Sequence, residues 1–213
     1  MNDKITVAIS RQFGSCGRAV GKELAKKLGI SFYDKELISL AAKESGISEK
    51  IFRNMDEKPT NSLLYSLAVG AYALDSQYLP WSDAAVPLSD KVYLAQAELI
   101  KKLAAEKSCV FIGRCSDYIL KDSPNMISVF ITDTEENCVN QIVKDYNLSE
   151  AKARDMINKT NKKRSNYYNF HTNRTWKDGD NYDLCVRTST LGIEGTAELI
   201  IDFAEHKLGK KLR

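Results

Sequence analysis

The sequence predicts an α/β protein, a parallel sheet with helices packed on its faces. Three observations point there. Apolar, β-branched runs of strand length (residues 5–9, 109–112 and 126–131) are nearly continuous, as strands buried on both faces must be. Amphipathic stripes at helical spacing separate them. Small residues cluster where the first strand hands over to the first helix. The alternation continues along the whole chain, which indicates right-handed crossovers within a single domain, residues 1–213.

The opening unit organises the rest. Ile5, Val7 and Ile9 form a buried strand, and Gly14, Ser15 and Gly17 allow a tight turn and close approach of a ligand to the backbone. Val20, Leu24, Ala25 and Leu28 then fall on one helical face, with Gly29 at the C-cap position. A strand, a glycine loop and a helix N-terminus together aim free N–H groups at an anion. The phosphate-loop pattern G-x-x-x-x-G-K-[ST] is met only in part: Gly17 takes the second glycine, Arg18 the lysine, Ala19 the metal-binding hydroxyl and Gln12 the first glycine. The residues expected to hold phosphate are Gly14, Ser15, Cys16, Gly17, Arg18 and Ala19. A plain glycine-containing β–α turn is the alternative.

A second strand over residues 31–33 leads to Asp34, at the strand end where open α/β sheets place ligands. Leu37, Ile38, Ala41 and Ala42 form the next helix, stopped by Gly46, and Ser48 caps a further turn. Residues 56–90 read as a helical excursion from the core, with a possible dimer-forming helix at 61–74. A helix starting at Ser89 or Asp90 precedes the strand 109–112, after which Arg114 is placed to reach a phosphate or to pair with a carboxylate. The strand 126–131, a helix from Thr134, a strand over 182–186 and a terminal helix bearing Ile193, Ala197, Ile200, Ile201, Ala204 and Leu208 complete the core.

Ser149 caps another helix, with Ala153, Met156 and Ile157 on its apolar face. Its far end and the following loop carry Lys159, Lys162, Lys163, Arg164, His171, Arg174 and Lys177, with Asp155 the only acid between 151 and 177. The expectation is a basic lid, about 159–178, that supplies charge to a transferring phosphoryl group; a solvated face is the bland alternative.

The 43% hydrophobic and 28% charged residues describe an ordinary globule, and a net charge of +3 gives no bulk argument for nucleic acid. No apolar run is long enough for a membrane span, and residues 1–7 lack a signal-peptide core. Five scattered cysteines without C-x-x-C spacing suit reduced thiols, hence a cytoplasmic setting. Cys16, in the glycine loop, is read as a space-filling residue or as a thiol of lowered pKa.

The blocks ITVAIS-RQFGSCGR, FYDKELI, FIGR, KKRSNYY and NYDLCVRTSTLGIE, in this order, resemble the cytidylate kinase-like family, related to the nucleoside monophosphate kinases. The resemblance spans nearly the whole chain except residues 56–90. It implies a three-layer P-loop NTPase-like fold with a helical insertion and a basic lid, ATP and Mg²⁺ as cofactors, and a nucleotide plus a small acceptor, CMP-like, as partners. By that resemblance Arg18, Lys163 and Arg164 are catalytic, Asp34 and Arg114 bind the acceptor, and Asp183 is structural. The sequence departs from the family in having Cys115 where a Gly-Arg-Asp motif has its aspartate, a lid thinned of arginines, and Ala19. With no hydroxyl at Ala19, Ser10, Ser15 or water would have to serve the metal, whose ligands the sequence leaves unknown. A catalytically weak nucleotide-binding regulator is the competing reading, and nucleic-acid binding through 159–177 ranks below both.

Overall fold

The computed structural model describes residues 4–55 and 87–212. Five parallel strands form one sheet in the order β2-β3-β1-β4-β5. The strands are β1 (Thr6–Arg11), β2 (Ser31–Tyr33), β3 (Cys109–Ile112), β4 (Met126–Thr132) and β5 (Leu184–Arg187). The helices are α1 (Gly17–Leu28), α2 (Glu36–Ser45), α3 (Glu49–Met55), α4 (Leu88–Glu106), α5 (Ser116–Ile119), α6 (Glu135–Tyr146), α7 (Glu150–Thr172) and α8 (Thr188–Leu208).

Alternation along the buried strands sorts their side chains onto two cores. Val7 and Ile9 of β1, with Val110, Ile112, Ile127, Val129 and Ile131, pack against Val20 and Leu24 of α1 and Ala197, Ile200 and Ile201 of α8. Ala8 and Phe111 face the other way, onto Leu37, Ile38 and Ala41 of α2, Phe52 of α3 and Leu99, Ile100 and Leu103 of α4. The result is the three-layer sandwich that the sequence predicts. The excursion at 56–90 and the helix 61–74 lie outside the described residues as far as 86; Leu88, Ser89 and Asp90 already belong to α4.

One register detail shapes the site. β1 pairs with β3 only as far as Ile9↔Ile112, but with β4 as far as Arg11↔Ile131. The sheet therefore splits between β1 and β3 at its C-terminal edge, and loops after both strands enter the cleft. This is the switch point at which open α/β sheets bind ligands.

The basic block differs from expectation. Residues 159–172 are not a helix end and loop but the continuation of α7, whose 23 residues run to an Asn173 cap. Its first half packs Ala153 and Ile157 against Cys138, Val139 and Ile142 of α6, and Phe13 joins them. Its second half buries Tyr167 and Tyr168 with Tyr93, Cys115, Phe130, Trp176 and Tyr182. His171 stacks on Tyr93 with ring centroids 3.9 Å apart, and burial lowers its pKa to about 3, so it is neutral at physiological pH.

Asp183 is structural, as the resemblance implies. Its carboxylate accepts from the Ser128 N–H at 2.9 Å and the Ser128 hydroxyl at 3.0 Å, and it pairs with Lys207 at 2.6 Å. Burial works to raise its pKa, but the Lys207 and Ser128 contacts outweigh it and hold the group below the usual aspartate value. A depressed pKa contributes stability that is present above the unfolded-state value and lost as pH falls through the folded one. Asp183→Asn should thus cost about 1–3 kcal/mol at neutral pH. Urea unfolding across pH should show the gap between the two proteins closing below pH ~4.

Candidate functional site

The cleft at the end of β1 is built from two tight loops. In the first, Gly14 (φ +87°) and Cys16 (φ +58°) take left-handed conformations on either side of Ser15. Such alternation makes an anion-binding concavity of backbone amides. No side chain caps α1. Among the described residues, no acceptor takes the N–H groups of Gly14, Cys16, Gly17, Arg18 or Ala19. These are the orphan donors of a helix start, at the positive end of its dipole.

The loop is held from several sides. The Ser15 hydroxyl is fully buried and donates towards the carbonyls of Gln12 and Ile131, 2.9 and 3.1 Å away. Thr188 at the start of α8 donates to the Ser15 carbonyl at 2.8 Å. Gln12 accepts from the Thr132 hydroxyl at 2.6 Å, tying the loop to the end of β4. From α7, the Asn161 carbonyl accepts from the Phe13 N–H at 2.8 Å, and Arg164 donates to the Arg11 carbonyl at 3.1 Å while its guanidinium lies 5.6 Å from the Phe13 ring. A Cβ on Gly14 would sit 2.6 Å from the Cys138 carbonyl oxygen, so only glycine fits there.

Two alternatives that the sequence leaves open are narrowed here. The Cys16 thiol is not activated: burial and the charges of Asp145 and Asp133 raise its pKa. Ser15 is turned into the protein and spends its hydroxyl on carbonyls, so it does not stand in for the metal-binding hydroxyl missing at Ala19.

The second loop follows β3. Gly113 (φ +71°), Arg114 (φ +53°) and Cys115 (φ +56°) are three consecutive left-handed residues. Each non-glycine residue in that region costs roughly 1 kcal/mol or more. The turn is fixed by bonds from the Gly113 N–H to the Ile9 carbonyl (2.9 Å) and from the Ser116 N–H to the Gly113 carbonyl (3.1 Å). Asp117, just beyond, is 4% exposed and accepts from the Tyr168 hydroxyl of α7 at 2.7 Å. Burial raises its pKa despite that bond.

Between the loops lies Asp34, at the end of β2 and buried. One carboxylate oxygen accepts from Arg18 Nε at 2.6 Å; the other forms an ion pair with Arg114 at 3.8 Å. The Arg18 side chain is half exposed and the Arg114 side chain is 3% exposed. The structure thus brings Arg18, Asp34 and Arg114 into one cluster and places Arg164 against the first loop's entrance. Lys163, one residue away on α7, is exposed. A separate open cavity, lined by Ile5, Leu28, Ile30 and Lys211, lies at the opposite end of the strands.

Sequence reasoning missed Arg11. Its side chain runs from β1 along the cleft: a Cβ on Gly17 would lie 2.6 Å from Arg11 Cβ, and one on Gly113 would collide with the Arg11 guanidinium. The available signal was a cation ending an otherwise apolar strand. The first loop fits the phosphates of a nucleotide. Among the described residues no cluster of three His, Cys, Asp or Glu side chains suited to a metal occurs. The Asp133 carboxylate at the end of β4 is spent on Ser189, Asn137 and the Thr134 N–H.

The two arginines on Asp34 differ in what they cost. Asp34→Ala removes a carboxylate that both arginines share, one of them buried, and should lower stability by about 1–3 kcal/mol. Arg18→Ala breaks a half-exposed pair and should cost about 0–1 kcal/mol. Equal losses in urea unfolding would contradict this picture.

Comparison with known proteins bears on identity. Over residues 6–190 the chain matches the cytidylate kinase-like family. An uncharacterised protein from Eubacterium ventriosum superposes with a TM-score of 0.71 at 27% identity, covering 95% of this chain and 99% of that one. Shikimate kinase from Bacteroides thetaiotaomicron shares the fold alone, with a TM-score of 0.54 at 11% identity over 94% of this chain and 98% of its own. No curated protein matches the sequence. No helix among the described residues is long and apolar enough to cross a membrane. With the family model matched over residues 6–190, the chain belongs to the cytidylate kinase-like family.

Proposed function

We propose that the protein is a phosphotransferase that moves the γ-phosphoryl group of ATP, entering as its magnesium complex, to a small phosphorylated acceptor of the nucleoside monophosphate type. The observation that carries this reading is the set of amides of Gly14, Cys16, Gly17, Arg18 and Ala19 without an acceptor among the described residues, lying across the cleft from Arg114. The amides and the α1 dipole hold the donor phosphates. Arg114, pinned by its loop and by Asp34, meets the acceptor phosphate, and Arg18 on the first turn of α1 adds positive potential beside the donor. Arg164 fixes the donor loop from α7; Lys163, exposed on the same helix, supplies longer-range positive charge.

The transfer needs no covalent intermediate. An anionic acceptor oxygen attacks the γ-phosphorus, the bond to the β–γ bridging oxygen breaks, and ADP departs with that electron pair. No proton has to move when the acceptor is already a phosphate. The protein's part is placement and charge neutralisation.

A catalytically weak nucleotide-binding regulator is the second reading. It is favoured by Ala19, which brings no hydroxyl where the motif has its metal-binding one. Nucleic-acid binding through α7 has less support, because Tyr167 and Tyr168 are buried and cannot stack on bases.

Purified protein incubated with ATP, Mg²⁺ and a panel of nucleoside monophosphates should release ADP well above background with one of them. Tight ATP binding with no turnover on any acceptor would favour the regulator. Arg18→Ala should weaken ATP and ADP alike, by about tenfold or more in calorimetry, and unchanged affinity would place the donor elsewhere.

A further inference from the structure

The phosphate-loop position that carries the donor-binding cation in the motif is here Arg18, and its Nε is bonded to Asp34, which lies between the two loops. We propose that Arg11, at the end of β1, supplies the cation on the γ-phosphate, a role that deepens the phosphotransferase reading and rests on it.

Four features converge on this residue. It ends the central strand, two residues beyond the last β1–β3 pair, so it stands where the sheet splits. It has the strand parity of Val7 and Ile9, which face the α1 side. Its side chain passes the glycine at the start of α1 and ends at the glycine that opens the second loop. Both Gly17 and Gly113 lack the Cβ that would block that path. The guanidinium therefore spans the interval between the donor amides and the loop that aims Arg114. A phosphoryl group in transit between donor and acceptor must cross that interval.

The main chain of Arg11 is also fixed, by the ladder to β4 and by Arg164 donating to its carbonyl. A guanidinium on a fixed stem presents a planar fork that matches the oxygens of a phosphate two at a time.

The γ-phosphate separates this role from simple propping of the loops. ATP has it and ADP does not. Calorimetric titration of the full chain with Mg·ATP and with Mg·ADP, for wild type, Arg11→Met and Arg11→Lys, reads the difference. The inference expects Arg11→Met to lose about tenfold or more in ATP affinity while ADP affinity stays within about twofold. Arg11→Lys, keeping a point charge but not the fork, should fall between. If Arg11→Met does not fold, as judged by its melting curve, Arg11→Lys carries the same comparison. Parallel losses for both nucleotides, or no loss for either, would overturn the role of Arg11 and leave the wild-type phosphotransferase reading intact. A wild type that binds neither nucleotide would remove that reading and this inference with it.

Discussion

The cleft depends on one buried carboxylate. Asp34 holds Arg18 from the helix that follows the first loop and faces Arg114 from the loop after β3, so a single side chain joins two segments that are distant in sequence. Burying a guanidinium as deeply as Arg114 is expensive unless an anion shares the site, and Asp34 is the anion at the end of the neighbouring strand. The same pairing explains the backbone after β3. Three left-handed residues in a row are tolerable only when their surroundings over-determine them. Here a strand bond, a helix start and an ion pair do so.

The remaining contacts are arranged around the donor loop, and few of them are catalytic in character. Ser15, Gln12, Thr188 and Asn161 spend their polar groups on the loop's own backbone. That leaves the outward-facing amides without an acceptor among the described residues. A concavity built in this way is ready before any anion arrives, so binding need not meet the full entropy of ordering a flexible loop.

Much of the fold was legible because burial writes itself into strand composition. Runs such as 126–131 admit few structures other than a covered strand, and Gly29 and Gly46 marked helix ends that the structure confirms with left-handed caps. The placing of Arg18 at a helix start and of Asp34 and Arg114 at strand ends was legible, though not the fact that Asp34 binds both arginines. Three things were hidden. The length of α7 was obscured because its second half is anchored by aromatic packing across the sheet and not by a simple apolar stripe. The inward turn of Ser15 depends on carbonyls from β4, more than a hundred residues away. Arg11 went unnoticed because its importance comes from where β1 and β3 part, a matter of register that local sequence does not encode.

α7 touches both halves of the cleft with side chains seven positions apart. Asn161 grips the loop after β1 and Tyr168 reaches Asp117 behind the loop after β3. At about 1.5 Å of rise per residue, that stretch of helix is a rod roughly 10 Å long. It acts as a spacer gauge: the gap across which a group must travel is set by helical pitch, a dimension that thermal motion scarcely alters. A segment that looks like a mobile flap in the primary structure thereby becomes the part that keeps the two banks of the cleft at a constant separation.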